Sequence, residues 1–176
     1  MERSLVERAR AGDADAFDQL VRGRIDAVYR VALAILGNSA DARDATQETF
    51  VAAWRHLPGL RDLDRFDGWL HRITVNAAKM VLRHRRGVRE IHLAPDSDFP
   101  AGSRPLAPAS DLTASDFDRA FERLSVDQRA ILVAHHLEGR GVAQVARSLD
   151  IPEGTVKSRL HSARAALQRA LDELDR

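Results

Sequence analysis

Residues 154–167 read GTVKSRLHSARAAL. At helical spacing, Val156, Leu160, Ala163 and Leu167 fall on one apolar stripe. Lys157, His161, Arg164 and Gln168 fall on the opposite side, flanked by Ser158 and Arg159, and no acidic residue occurs between Gly154 and Ala170. The preceding residues give this helix its meaning. Val142, Val145, Ala146 and Leu149 form a short amphipathic helix, and DIPEG (150–154) turns the chain into the next one. Pro152 stops the first helix from running on. Ala146 is small where two helices must approach closely, and Ile151 is an apolar plug for the turn. This pattern predicts a helix-turn-helix.

An acid-free second helix enters the major groove without repelling phosphates. Gly154 and Thr155 leave its N-terminus open for a phosphate. Thr155, Lys157, Ser158, Arg159, His161 and Arg164 are therefore the candidate contacts to duplex DNA. A solvated basic face on an ordinary hairpin is the competing reading. The preceding helix, the turn and the polar pattern together favour DNA.

Working outward, SVDQ (125–128) reads as a capping box, with Ser125 as cap and Gln128 reaching back. Phe117, Ala120, Phe121 and Leu124 share a stripe before it. Residues 87–110 carry Pro95, Pro100, Pro105 and Pro108 with no apolar period, which predicts an extended linker. Upstream, Phe17, Leu20, Val21, Ile25, Val28 and Tyr29 keep helical spacing, as do Ala45, Phe50, Trp54 and Leu57. The expected organisation is all-α: a helical domain over 1–86, a linker over 87–110 and a second helical domain over 111–176.

The helix beginning near Trp69 has two faces. Leu70, Ile73, Ala77, Met80 and Val81 point one way. Arg72, Asn76, Lys79, Arg83 and Arg86 run along the other, a stripe suited to a nucleic-acid backbone. Asn76 stands out as an uncharged amide able to hydrogen-bond a base edge, although taken alone a surface residue or local cap is the stronger reading. Between Trp69 and Arg89 there are six Lys or Arg residues and no acid. The net charge is only +1, so the basic faces are local. Phe50, Trp54, Phe66 and Trp69 are expected in the core, because 5% aromatic content barely supplies two small cores.

Composition excludes other classes. With no Cys among 176 residues there is no disulfide, thiolate metal site or Cys nucleophile. The seven His show no metal-ligand spacing, and His135 and His136 are adjacent, so they point in different directions on a helix. No Gly-rich phosphate loop occurs. The charged N-terminus lacks a signal-peptide core, and no apolar run suits a bilayer. A cytoplasmic, non-enzymatic protein without cofactor, metal or membrane insertion is expected.

Three segments together resemble one family. DARDATQETFVAAWRHL is similar to sigma region 2.2, and FDGWLHRITVNAAKMVLRHRR resembles regions 2.3 and 2.4. The stretch from LSVDQ to HSARAAL looks like region 4. The family is that of the extracytoplasmic-function (ECF) sigma factors, within the sigma-70 group. The resemblance implies a promoter-specificity subunit that binds bacterial core RNA polymerase and promoter DNA. It assigns polymerase binding to Asp44, Gln47, Glu48 and Arg55, and −10 strand capture to Leu60, Arg72, Asn76, Lys79, Arg83 and Arg86. Duplex −35 contacts fall on the helix-turn-helix residues named above. An anti-sigma factor is the implied regulatory partner. A stand-alone helix-turn-helix regulator, with the first segment as a sensor or dimerisation domain, is the alternative.

Overall fold

The computed structural model describes residues 2–92 and 114–175, with side chains described over 3–84 and 115–175. Its regular elements are all helical. The first body contains α1 (Glu2–Arg10), α2 (Ala14–Leu36), α3 (Ser39–His56) and α4 (Phe66–His92). The second contains α5 (Ala114–Glu122), α6 (Val126–Leu132), α7 (Val142–Leu149) and α8 (Glu153–Leu174). Two 3₁₀ turns join α3 to α4, and a wider-wound turn, Val133–Leu137, extends α6.

Local chemistry sets the helix ends. The Asp13 side chain accepts from the Ala16 backbone N–H and is gripped by Arg8, whose Nη2 lies 2.6 Å from the carboxylate. Both contacts hold the Asp13 carboxyl below its ordinary range, the backbone hydrogen bond most strongly. Gly37, at φ 77°, ends α2 in the left-handed region, where glycine has no Cβ penalty. Asn38 caps α3 at 2.8 Å. Ser125 and Gln128 exchange the two hydrogen bonds of a capping box.

In the first body α2, α3 and α4 pack around Leu20, Val28, Ile35, Ala45, Ala53, Leu57, Phe66 and Leu70. Alanines on α3 let the helices approach closely. Thr46, Thr49 and Thr74 are buried, and each hydroxyl donates to a carbonyl one turn back, at 2.6–3.0 Å. That pairing removes the cost of an unmet polar group. In the second body Leu124, Ile131, Val145, Val156, Leu160 and Ala163 form a core. A third cluster is shared: Ala130 and Val133 of the second body pack with Val31, Ile35, Val75 and Ala78 of the first.

Several expectations are corrected. Helix α4 runs to His92, past residue 86, where the linker was to begin; its basic residues favour helix over coil. The linker's prolines lie outside the described residues. Trp54 is 41% exposed, so it is not a core residue. Met80 is 60% exposed, because the buried arc of α4 is rotated toward Thr74, Val75 and Ala78. Leu60, assigned to −10 DNA, is 9% exposed and closes the core beside Leu57, Phe66 and Leu70. Burial of an apolar side chain outweighs its position in a loop.

Candidate nucleic-acid and partner interfaces

The helix-turn-helix is built as follows. Helix α7 ends at Asp150, which takes a left-handed φ of 55°, tolerated by Asp better than by most residues. Pro152, in extended backbone, precedes α8. Ile151 packs, partly buried, against the core that holds Val145, Ala146 and Val156. Val156, Leu160 and Ala163 are buried on α8. Their burial rotates Lys157, Ser158, Arg159, His161 and Arg164 outward, and all five are exposed. Thr155 is half-buried, and its carbonyl accepts the Ser158 hydroxyl at 3.0 Å. Arg164 approaches His136 Nε2 at 3.3 Å. Desolvation, then the charges of His135 and Arg164, lowers the His136 pKa from its ordinary value. A neutral His136 is the form that accepts from Arg164.

On α4, Arg72, Asn76 and Arg83 are exposed along one side, and Met80 lies among them. Lys79 sits on the shoulder of this stripe, its amine 2.5 Å from Asp127 of α6. Arg86 lies within α4, beyond the described side chains.

A third surface lies between α2 and α3. Helices α2 and α3 leave an apolar groove lined by Phe17, Val21, Ile25, Tyr29, Phe50 and Trp54. Ile25 is 43% exposed, and the Trp54 ring lies 4.9 Å from that of Phe17. Gln47 and Arg55 edge the groove, while Asp44 and Glu48 stand exposed one position round α3. The polar residues assigned from the sequence thus lie beside an apolar floor that includes Phe50 and Trp54, both expected in the core. The available signal was the width of the apolar arc on α2, more than one neighbour could cover. Exposed aromatic and aliphatic side chains ringed by charge are the composition of a protein interface.

A helix-turn-helix with an acid-free face, a separate cationic stripe carrying an amide, and an apolar groove define a DNA-binding transcription factor with a protein partner. Comparison with known proteins makes the class specific. Residues 20–88 match the Sigma-70 region 2 family, and residues 115–167 match Sigma-70 region 4. The chain is 40% identical over 166 residues to the ECF RNA polymerase sigma factor SigM of Mycobacterium tuberculosis, spanning 94% of this chain and 82% of that protein. It is 32% identical to the RNA polymerase sigma-H factor of Pseudomonas aeruginosa, over 98% of this chain and 95% of that one. Among solved structures it superposes on CnrH in complex with the cytosolic domain of CnrY, with TM-score 0.69, 28% identity and coverage of 98% and 97%. It also superposes on the sigma factor RpoE in complex with the anti-sigma factor NepR from Bartonella quintana, with TM-score 0.63, 26% identity and coverage of 91% and 98%. The chain belongs to the ECF sigma factors of the sigma-70 family. Among the described residues, no helix is long and apolar enough to cross a membrane.

Proposed function

We propose that this sigma factor binds bacterial core RNA polymerase through the α2–α3 groove and its rim of Asp44, Gln47, Glu48 and Arg55. It then directs the enzyme to promoters by two unlike DNA contacts. Helix α8 enters the major groove of the −35 element with Lys157, Ser158, Arg159, His161 and Arg164, while Thr155 sits by the helix N-terminus. The exposed side of α4 takes the −10 element as a single strand: Asn76 reads a base, and Arg72, Lys79, Arg83 and Arg86 follow the phosphates. The chain supplies binding and the polymerase supplies the chemistry, in the cytoplasm, without a cofactor or metal of its own. An anti-sigma factor that covers the apolar groove would hold it inactive.

The observation that carries this reading is the pair of outward cationic faces on two separate bodies (α4 and α8). A stand-alone helix-turn-helix regulator needs only the second. Run-off transcription with purified core polymerase is the test. Promoter-dependent product with the parent chain, lost on charge reversal at Arg83 or Lys157, supports it. Tight duplex binding by the isolated chain, with no product at any genomic promoter, supports the stand-alone regulator instead.

A further inference from the structure

Among the described residues of the α8 DNA face, only Arg164 is hydrogen-bonded to a side chain of another element: its Nη2 lies 3.3 Å from His136 Nε2. His136 belongs to the wider-wound turn Val133–Leu137, where the Glu138 N–H reaches back five residues to the Val133 carbonyl, at 3.0 Å. Such a turn carries one residue more than an α-turn and shifts the side chains that follow. The rings of His135 and His136 meet edge to face within it, centroids 4.8 Å apart at 72°. The pair is braced. His135 Nδ1 lies 2.9 Å from the Arg140 carbonyl, and a carbonyl only accepts, so this nitrogen carries the proton. Arg140 in turn meets the Glu138 carboxylate at 3.1 Å, and His71 Nδ1 of α4 lies 2.7 Å from the same group. Burial would raise the Glu138 pKa, but His71 and Arg140 outweigh it and leave the carboxyl below its ordinary value. A continuous line of contacts runs from this ion cluster through two imidazoles to a guanidinium on the DNA face.

Charge decides which form of His136 can hold Arg164. A guanidinium is always protonated and offers only donors, so its partner must accept. Nε2 accepts only in the neutral ring that carries its proton on Nδ1. The charges acting on His136 are His135 from its own turn and Arg164 from α8, and both are basic. Glu138, two residues on, is engaged by His71 and Arg140. Desolvation, then those two charges, favours the neutral ring. On protonation Nε2 becomes a donor, the hydrogen bond is lost, and two like charges face each other.

We propose that His136 is a positioning residue for promoter readout: from outside the recognition helix, its neutral imidazole holds the Arg164 guanidinium in the orientation that α8 presents to the −35 duplex. The inference rests on the −35 reading of α8 and adds to it a residue that lies off the helix. Arg164 spends one N–H on His136 and keeps the others for a base edge or a phosphate. A long side chain ordered before binding also loses less freedom on the DNA. The effect therefore falls on specificity, the ratio of affinities for the right duplex and an unrelated one. A protonated His136 attracts the phosphates of every sequence alike, so that ratio separates positioning from general charge.

The test uses the full chain bound to core polymerase, and a duplex that the parent holoenzyme selects at about pH 8 from a pool randomised over the −35 element. Affinity for the selected duplex is compared with affinity for a scrambled one, at constant ionic strength, from about pH 8 to about pH 5. The parent ratio should fall roughly two- to tenfold across that range, the worth of ordering one long side chain. H136A should show the low ratio throughout. H136Q, whose amide oxygen accepts without titrating, should match the parent ratio at the alkaline end and hold it flatter in acid. His135 and His161 are present in all three proteins, so the difference between profiles belongs to His136. Adding H136A to R164A should change nothing further. A parent-like ratio in H136A at the alkaline end, or an H136Q profile that follows the parent into acid, overturns the proposal. The glutamine arm decides it even where alanine disturbs folding. Enrichment of no element by the parent holoenzyme overturns the −35 reading itself, so the two failures are distinguishable.

Discussion

Replacing Leu160 by Ala separates what seats the recognition helix from what it touches. Leu160 is 4% exposed and packs on α8 between Val156 and Ala163, which are fully buried. Its neighbours in the cluster include Leu124, Ile131 and Val145. A buried Leu→Ala change costs about 2–5 kcal/mol. The second body has 62 described residues, 114–175, and ordinary stability is about 0.05–0.15 kcal/mol per residue, or roughly 3–9 kcal/mol. The substitution therefore removes at least about a fifth, and about half at the middle of both ranges, of what holds the second body together. Lys157→Ala, one turn away and exposed, should leave stability within about 0.5 kcal/mol. Both Trp residues, Trp54 and Trp69, lie in the first body, so fluorescence reports that body alone while circular dichroism reports both. In a urea titration L160A should split the two signals, the dichroism transition moving to lower urea and the fluorescence transition moving less. Binding of −35 duplex by the reconstituted polymerase should fall in both variants. In K157A it should fall with a salt slope shallower by ~0.9, the signature of one lost phosphate contact. If L160A cost less than about 1 kcal/mol, or K157A unfolded the second body, the assignment of the two faces of α8 would be wrong.

Asn76→Ala should weaken −10 strand capture by about 1–3 kcal/mol at one base position, seen as lost discrimination among oligonucleotides substituted there. Trp54→Ala should weaken core polymerase binding by about 2 kcal/mol or more without unfolding the chain, measured by titration against labelled core enzyme. The Glu138 carboxyl, whose folded pKa is lowered, contributes stability that is complete above its unfolded value near 4.5 and is lost as pH falls through the folded value. Thermal unfolding followed from pH 6 to pH 3 should show that loss, and E138Q should flatten it. Ser125→Ala should cost the second body about 1 kcal/mol, read as a shift in its urea midpoint.

Much of the fold was legible because its signals are local. The helix-turn-helix rests on Pro152, Ala146 and a period of apolar residues, all within a few turns of chain. The capping box at Ser125 and Gln128 is a four-residue pattern with a direct hydrogen-bond meaning. The exposed faces of α8 and of α3 follow from periodicity alone, since Lys157, His161 and Arg164, or Asp44 and Glu48, cannot be buried beside Val156 or Ala45. Helix α4 was less transparent. Its small and β-branched residues allow more than one buried arc, and only packing against α2 and α3 chose the arc that exposes Met80.

The sequence by itself determined helix identity, the two bodies, the acid-free recognition face and the family. Helix identity and the recognition face are carried by spacing within one segment, and the family by the resemblance of three segments taken together. Only the tertiary structure decided that Leu60 belongs to the core, that α2 and α3 leave Trp54 and Ile25 in an open groove, and that His71, Lys79 and Arg129 meet the opposite body. The physical reason is range. Periodicity tells which side of a helix is apolar, but whether that side is covered depends on neighbours far along the chain, 94 residues away in the case of Arg129 and Ile35.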